Sequence, residues 1–279
     1  MKQVLINSGA VELAEVPAPQ VGARNILVKV AFSCISAGTE MASVRMSGLP
    51  LYKRALRQPE NVRRVVQMVR DQGLSYTYAR VQGMLTAGTP TGYSAAGTVI
   101  AIGAEVVGFA VGDRVACAGA GIANHAEFID VPVNLSVHVP DGLGLDAAST
   151  VTLGAIALQG VRRATPTLAE QFVVVGLGLL GQLALQMLRA NGCQVIGIDP
   201  DPARRELALR LGAVAALDPA AGGHVERVIH LTDGNGADGV VITAAGASDD
   251  CGQVRLAGAT LLSLMAIDEI VVVPVLVTR

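Results

Sequence analysis

Phe172-Val173-Val174-Val175-Gly176-Leu177-Gly178-Leu179-Leu180-Gly181 decides the fold of this chain, because an apolar, β-branched run enters a glycine-spaced turn and leaves it as a helix. Such a run reads as a buried parallel strand. Gly176 makes the tight turn, Gly178 lets a pyrophosphate approach the main chain, and Gly181 lets the next helix pack close to the strand. The N–H groups at the helix start, on Leu179 and Leu180, then face the phosphates. Leu180, Leu183, Ala184, Met187 and Leu188 repeat at i, i+3, i+4, i+7 and i+8, and Asn191-Gly192 closes the helix. A second strand, Gln194 to Ile198, ends on Asp199, 18 residues past the last glycine.

Asp199 also bears on the choice of dinucleotide. A carboxylate there accepts hydrogen bonds from the adenosine ribose hydroxyls and repels a 2′-phosphate, so NAD(H) is favoured over NADP(H). Its other reading, as a cap for the following helix, is already covered by Asp201-Pro202. Arg204 and Arg205 at that helix start either accommodate a phosphate or stack on adenine. With Thr243, at the end of an expected strand Gly239 to Thr243, the cofactor-binding set is Gly176, Gly178, Leu179, Leu180, Gly181, Asp199, Arg204 and Thr243.

The chain has 279 residues, enough for two domains, placed at 1–150 and 151–279. At 51% hydrophobic and 16% charged it reads as globular, and its net charge of −2 gives no global attraction to nucleic acid or an anionic membrane. There is no apolar run of about 18 residues and no signal-peptide pattern at the N-terminus, so a cytoplasmic protein is expected. Cys34, Cys117, Cys193 and Cys251 show no CxxC spacing and read as packed thiols.

Residues 1–44 are β-rich, with alternation in Val11 to Val16 and Asn25 to Val30. From 45 to 88 the character changes: eight basic residues, Arg45, Lys53, Arg54, Arg57, Arg63, Arg64, Arg70 and Arg80, face only Glu60 and Asp71. Val62, Val65, Val66 and Val69 at helical spacing mark an inserted helical stretch, either a solvated face or a lid or site for an anionic substrate or partner. Strand patterns resume at Thr98–Gly103, Asp113–Ala116 and Glu127–Val131; a helical pattern covers Asp146–Arg163, and further strands are expected near 213–217, 239–243 and 260–266. Alternating strands and helices imply a doubly wound parallel sheet covered on both faces.

Together these residues resemble the medium-chain dehydrogenase/reductase superfamily, the zinc alcohol dehydrogenase-like proteins. Gly92-Tyr93-Ser94-Ala95-Ala96-Gly97-Thr98-Val99, Gly103 and Gly112-Asp113-Arg114-Val115 are similar to the family's GHExxGxV…VG…GDRV signature, and Gly236-Ala237-Asp238-Gly239-Val240-Val241-Ile242 to its GADxVI strand. Ser36-Ala37-Gly38-Thr39-Glu40 and Gly119 to Glu127 resemble a zinc-lacking branch that includes bi-domain oxidoreductases of sugar and polysaccharide metabolism. The resemblance implies an α/β fold: a Rossmann domain plus a GroES-like β-barrel domain carrying the helical insert, with the dinucleotide held between them. It implies hydride transfer between nicotinamide and an alcohol or carbonyl carbon of a small, sugar-like substrate. A zinc-independent, NADPH-using enone or quinone reductase and a dinucleotide-binding protein without turnover stay open beside it.

The zinc enzymes' metal ligands are missing. Tyr93 stands at the family's histidine, Ser94 at the adjacent glutamate, and no cysteine lies in 149–158, so no zinc is expected. Without a Lewis acid, hydrogen-bond donors must stabilise the developing alkoxide. The resemblance places Thr39 at the proton-relay position and points Tyr93 into the site. His125, beside Asn124 in a glycine-rich loop, is a general acid/base candidate. Structural readings stand beside each: Thr39 as a strand end, Tyr93 as a core aromatic, His125 as a loop-stabilising residue. Family members run longer than this chain, so the resemblance leaves two alternatives open: the first domain is completed differently, or the protein is a truncated relative, active or not. The run Ile270 to Val277 reads as a strand at the sheet margin pairing two subunits of a homodimer, or folding over its own sheet.

Overall fold

The computed structural model describes residues 1–50, 52, 53, 56, 59–244, 265–267 and 270–274. The chain divides into two compact units, Met1–Thr152 and Leu153–Arg279.

The first unit is built on antiparallel strands. The strands β1 (Lys2–Asn7), β2 (Ala10–Glu15) and β4 (Thr89–Pro90) form one sheet in the order β2-β1-β4. A second sheet joins β3 (Asn25–Ser33), β5 (Ser94–Ile102), β6 (Arg114–Ala118), β7 (Phe128–Pro132) and β8 (Ser136–His138) in the order β7-β3-β5-β6-β8. Period-two alternation sets its core: Ile26 and Val28 of β3 meet Ala95 and Val99 of β5, Val115 and Cys117 of β6, and Ile129 and Val131 of β7. Between β3 and β4 the described residues include the helices α1 (Ala37–Ser47), α2 (Pro59–Gln72) and α3 (Leu74–Thr86). The helical stretch thus opens before position 45. Its start is set locally, since the Glu40 carboxylate turns back to accept the N–H of the N-cap residue Ser36 at 2.8 Å. Thr39 consequently sits in a helix rather than at a strand end. The short α4 (Leu145–Ala148) and α5 (Val151–Ala164) follow β8.

Among the described residues the second unit carries a six-stranded sheet. Its strands β9 (Gln171–Val175), β10 (Gln194–Ile198), β11 (Ala215–Leu217), β12 (Gly239–Ile242), β13 (Met265–Ile267) and β14 (Ile270–Pro274) run in the order β11-β10-β9-β12-β14-β13. The first four are parallel, joined through α6 (Leu179–Ala190), α7 (Pro202–Arg210) and α8 (His224–Leu231). Phe172 and Val174 pack into one core cluster and Val173 into another, so β9 is buried on both faces.

The sheet departs from the expected one beyond β12. There β14 runs antiparallel to β12, and β13 antiparallel to β14. The run beginning at Ile270 is therefore interior, between β12 and β13, and not the sheet margin; its residues 275–277 lie outside the described residues, as do 260–264 of the strand expected at 260–266. Helix α8 was not foreseen, although Val225, Val228 and Ile229 carry a helical spacing. Among the described residues no helix is long and apolar enough to cross a membrane.

Candidate functional site

The parallel strands place a switch in chain direction at one spot. From β9 the chain steps outward to β10 and β11, then returns to the other side of β9 at β12. In open α/β sheets the crevice at the carboxyl ends of two such strands is where ligands bind. Here those ends are Gly176 after β9 and Thr243 after β12. Thr243 donates its hydroxyl to the Gly176 carbonyl at 2.6 Å and its N–H to the Val175 carbonyl at 2.8 Å.

Each glycine of the turn has a separate physical reason. Gly176 has φ +88°, and a Cβ there would stand 2.6 Å from the main-chain nitrogen of Ala244. A Cβ on Gly181 would collide with the Gly176 carbonyl oxygen and lie 2.8 Å from Thr243 Oγ1. Gly178 differs: a Cβ there would meet nothing within 4 Å. It is also the N-cap of α6, and no side chain caps the helix, so the opening turn at Leu179, Leu180 and Gly181 starts beside open space. That is the cradle a dinucleotide pyrophosphate requires, and the residues present fit that group.

Asp199 closes the loop from the next strand. It is only 2% exposed; one carboxylate oxygen accepts the Leu177 N–H at 2.7 Å and the other the Asp201 N–H at 2.8 Å. Asp201 caps α7 through the N–H groups of Ala203 and Arg204, as its Asp-Pro start implied. The Arg204 guanidinium, 55% exposed, lies 3.6 Å from the Asp199 carboxylate. Arg205 turns away from it, donating to the carbonyls of Asp199 and Pro200 and pairing with Asp218 at 3.2 Å.

In the first unit His125 has two side-chain partners. Its ring is 9% exposed, with Nδ1 2.8 Å from Ser33 Oγ and Nε2 3.1 Å from Glu40 Oε1. Its main chain is fixed from both sides, donating to the Thr91 carbonyl and accepting from the Val4 N–H, each at 2.8 Å. Thr39, the neighbour of Glu40, accepts from Ser36 Oγ at 3.2 Å and so joins the same network. Tyr93 follows Gly92, where a Cβ would approach the imidazole carbons at 3.0 Å. Ser94, which stands at the family's glutamate, is wholly buried and donates to the Ser149 carbonyl at 2.6 Å, a packing role.

The metal question has a clear local chemistry. Among the described residues no three His, Cys, Asp or Glu side chains gather as a metal would need. Burial pushes the Cys34 thiol up, and the Glu40 charge beside it pushes further in the same direction. Burial likewise raises Cys117, to about 11. Cys251 lies outside the described residues.

The antiparallel first unit and the mostly parallel second unit are consistent with a GroES-like unit and a Rossmann unit, the fold of solved dehydrogenases. The zinc-binding dehydrogenase family model matches residues 180–254. A quinone oxidoreductase of Pseudomonas aeruginosa is 34% identical over 58% of this chain and 52% of its own length. A D-guloside 3-dehydrogenase of Escherichia coli is 35% identical over 55% of this chain and 43% of its own. The chain thus spans about half the length of the curated relatives it matches. The crystal structure of Escherichia coli quinone oxidoreductase complexed with NADPH superposes with a TM-score of 0.65 at 17% identity, covering 85% of this chain and 64% of that one. The chain is thus similar to medium-chain dehydrogenases/reductases in sequence over residues 180–254 and shares their fold.

Sequence reasoning named His125 but not its partners. Ser33 and Glu40 lie 92 and 85 residues away in the chain, and only the β3–α1 turn brings them to the ring. Glu40 was in view as part of a motif, without a role.

Proposed function

We propose that the protein is an NAD(P)-dependent oxidoreductase that moves hydride between nicotinamide and a small alcohol or carbonyl substrate, with NAD(H) preferred, without catalytic zinc. The observation that carries this reading is the contrast within the glycine turn: Gly176 and Gly181 are closed by protein atoms while Gly178 faces open space. Leu179, Leu180 and Gly181 would hold the pyrophosphate through their N–H groups, and Asp199 would meet the adenosine ribose. When bound, the nicotinamide supplies the hydride chemistry; the chain supplies binding, orientation and proton handling. Thr39, Tyr93 and His125 are the proton-handling candidates. A sugar-like alcohol is the favoured substrate class, supported by the D-guloside 3-dehydrogenase relative.

A second reading, an NADPH-dependent enone or quinone reductase, has its own support. The Arg204 guanidinium stands beside Asp199, where a 2′-phosphate would arrive, and the quinone oxidoreductase relative belongs to that activity. The test is a titration with NADH and NADPH, followed by a panel of polyol, sugar-acid, enone and quinone substrates with the better cofactor. Tighter NADH and polyol oxidation support the first reading; tighter NADPH and quinone reduction support the second. Binding with no hydride exchange across the panel overturns both.

A further inference from the structure

His125 is held as the middle of a hydroxyl–imidazole–carboxylate chain. Its three members come from separate parts of the first unit: Ser33 ends β3, Glu40 lies in α1, and His125 sits in the loop after β6. Glu40 as a carboxylate can only accept. Its Oε1 already takes the Ser36 N–H, so a proton on Nε2 satisfies the contact with His125. The neutral ring then leaves Nδ1 as an acceptor, and the Ser33 hydroxyl, 2.8 Å away, donates to it. A Cβ at Gly92 would stand 3.0 Å from two of the ring carbons, so the absence of a side chain there leaves the ring its place, and two main-chain hydrogen bonds hold the His125 backbone.

From this geometry we infer that Ser33, His125 and Glu40 form a proton relay in which Ser33 is the outlet, His125 the proton store and Glu40 the positioning residue that fixes the tautomer. The relay rests on the oxidoreductase reading above. In alcohol oxidation the nicotinamide, when bound, would supply the hydride chemistry, and the chain's own residues would handle the substrate O–H proton. The substrate O–H breaks and its proton passes to Ser33 Oγ, while the Ser33 proton passes to His125 Nδ1. The ring then carries protons on both nitrogens, facing the Glu40 carboxylate. Reduction of a carbonyl runs the same transfers backwards. The half-buried Ser33 is more open than the ring it serves, which suits an outlet and not an anchor. Of the groups whose contacts with the ring are described, Glu40 is the charged one; β3 contributes Ser33, and the loop before β5 contributes Gly92.

Two readouts test it. Nitrogen NMR of histidine-labelled protein, with His125 assigned by His125→Asn, needs no substrate: the neutral ring should carry its proton on Nε2, and Ser33→Ala should move the Nδ1 resonance. Turnover should fall about 10²-fold in kcat for Ser33→Ala and Glu40→Gln with KM changed less than about 3-fold, and Glu40→Asp should restore part of it. A proton on Nδ1, or unchanged kcat in Ser33→Ala, overturns the relay while leaving the oxidoreductase reading intact. Should Glu40→Gln fail to fold, Ser33→Ala and the NMR arm still decide. The expected tautomer in a protein that exchanges no hydride overturns the oxidoreductase reading and, with it, the relay's part in turnover.

Discussion

The Asp199 carboxylate accepts the main-chain N–H of Leu177 at 2.7 Å, tying the end of β10 into the glycine turn that follows β9. The residue proposed to read the ribose is thus also a clamp on the glycine turn. Asp199→Ala should lower stability by about 1–3 kcal/mol, because the buried Leu177 N–H and the part-buried Asp201 N–H lose a charged acceptor. Denaturant unfolding checks this. The same variant, and Asp199→Ser, should weaken NADH binding and narrow its advantage over NADPH; an unchanged ratio would remove Asp199 from cofactor choice.

Gly178 and Gly181 should separate binding from folding. A Cβ on Gly181 collides with the Gly176 carbonyl oxygen, whereas one on Gly178 meets nothing within 4 Å. Gly181→Ala should therefore cost about 1–3 kcal/mol of stability. Gly178→Ala should keep its melting temperature and lose at least about tenfold in dinucleotide affinity, since the new methyl occupies the space of the pyrophosphate. Thermal melts and binding titrations on both proteins report the two quantities separately.

Arg204 offers the reciprocal test of cofactor choice. Its guanidinium is exposed and lies 3.6 Å from each of the Asp199 and Asp201 carboxylates, where a 2′-phosphate would compete for it. Arg204→Glu should reduce NADPH affinity several-fold more than NADH affinity, an effect that shrinks as salt rises. Equal losses for both cofactors would assign Arg204 to adenine stacking.

Much of the second unit was legible because local pattern and tertiary demand agree there. Phe172 to Val175, the glycine turn, the Asn191-Gly192 stop and the Asp201-Pro202 start each announce their role within a few residues. What lay beyond the sequence was non-local. The antiparallel return of β14 depends on which strand it meets, and an Ile-Val run pairs equally well in either direction. The start of α1 was missed because the motif ending in Glu40 was read by resemblance, while its capping bond to Ser36 was the local signal. Of the site in the first unit, His125 was visible as a residue type. Its order of partners was not, because it depends on the packing of β3 and α1.

The buried Cys117 thiol gives a pH prediction. Its pKa is raised from 9.0 to about 11 by burial, opposed by a hydrogen bond with Ser136. Between these values the unfolded chain releases a proton that the folded protein keeps, so stability falls as pH rises. The contribution is fully present below about pH 9 and lost through about pH 11, amounting to about 2–3 kcal/mol. Subtracting the unfolding free energies of Cys117→Ala across this window isolates it; a flat difference would contradict the assignment.

The central claim is that this chain binds a nicotinamide dinucleotide at its glycine turn and needs no metal to do its chemistry. The most direct measurement dialyses the protein against a zinc chelator, determines its residual metal, and titrates NADH and NADPH by the fluorescence of the reduced nicotinamide, with Gly178→Ala as control. The account predicts saturable binding of one NADH per chain, tighter than NADPH, unaffected by the chelator and lost in Gly178→Ala. Activity that disappears with chelation and returns with one zinc per chain, or NADH binding that survives in Gly178→Ala, would contradict it.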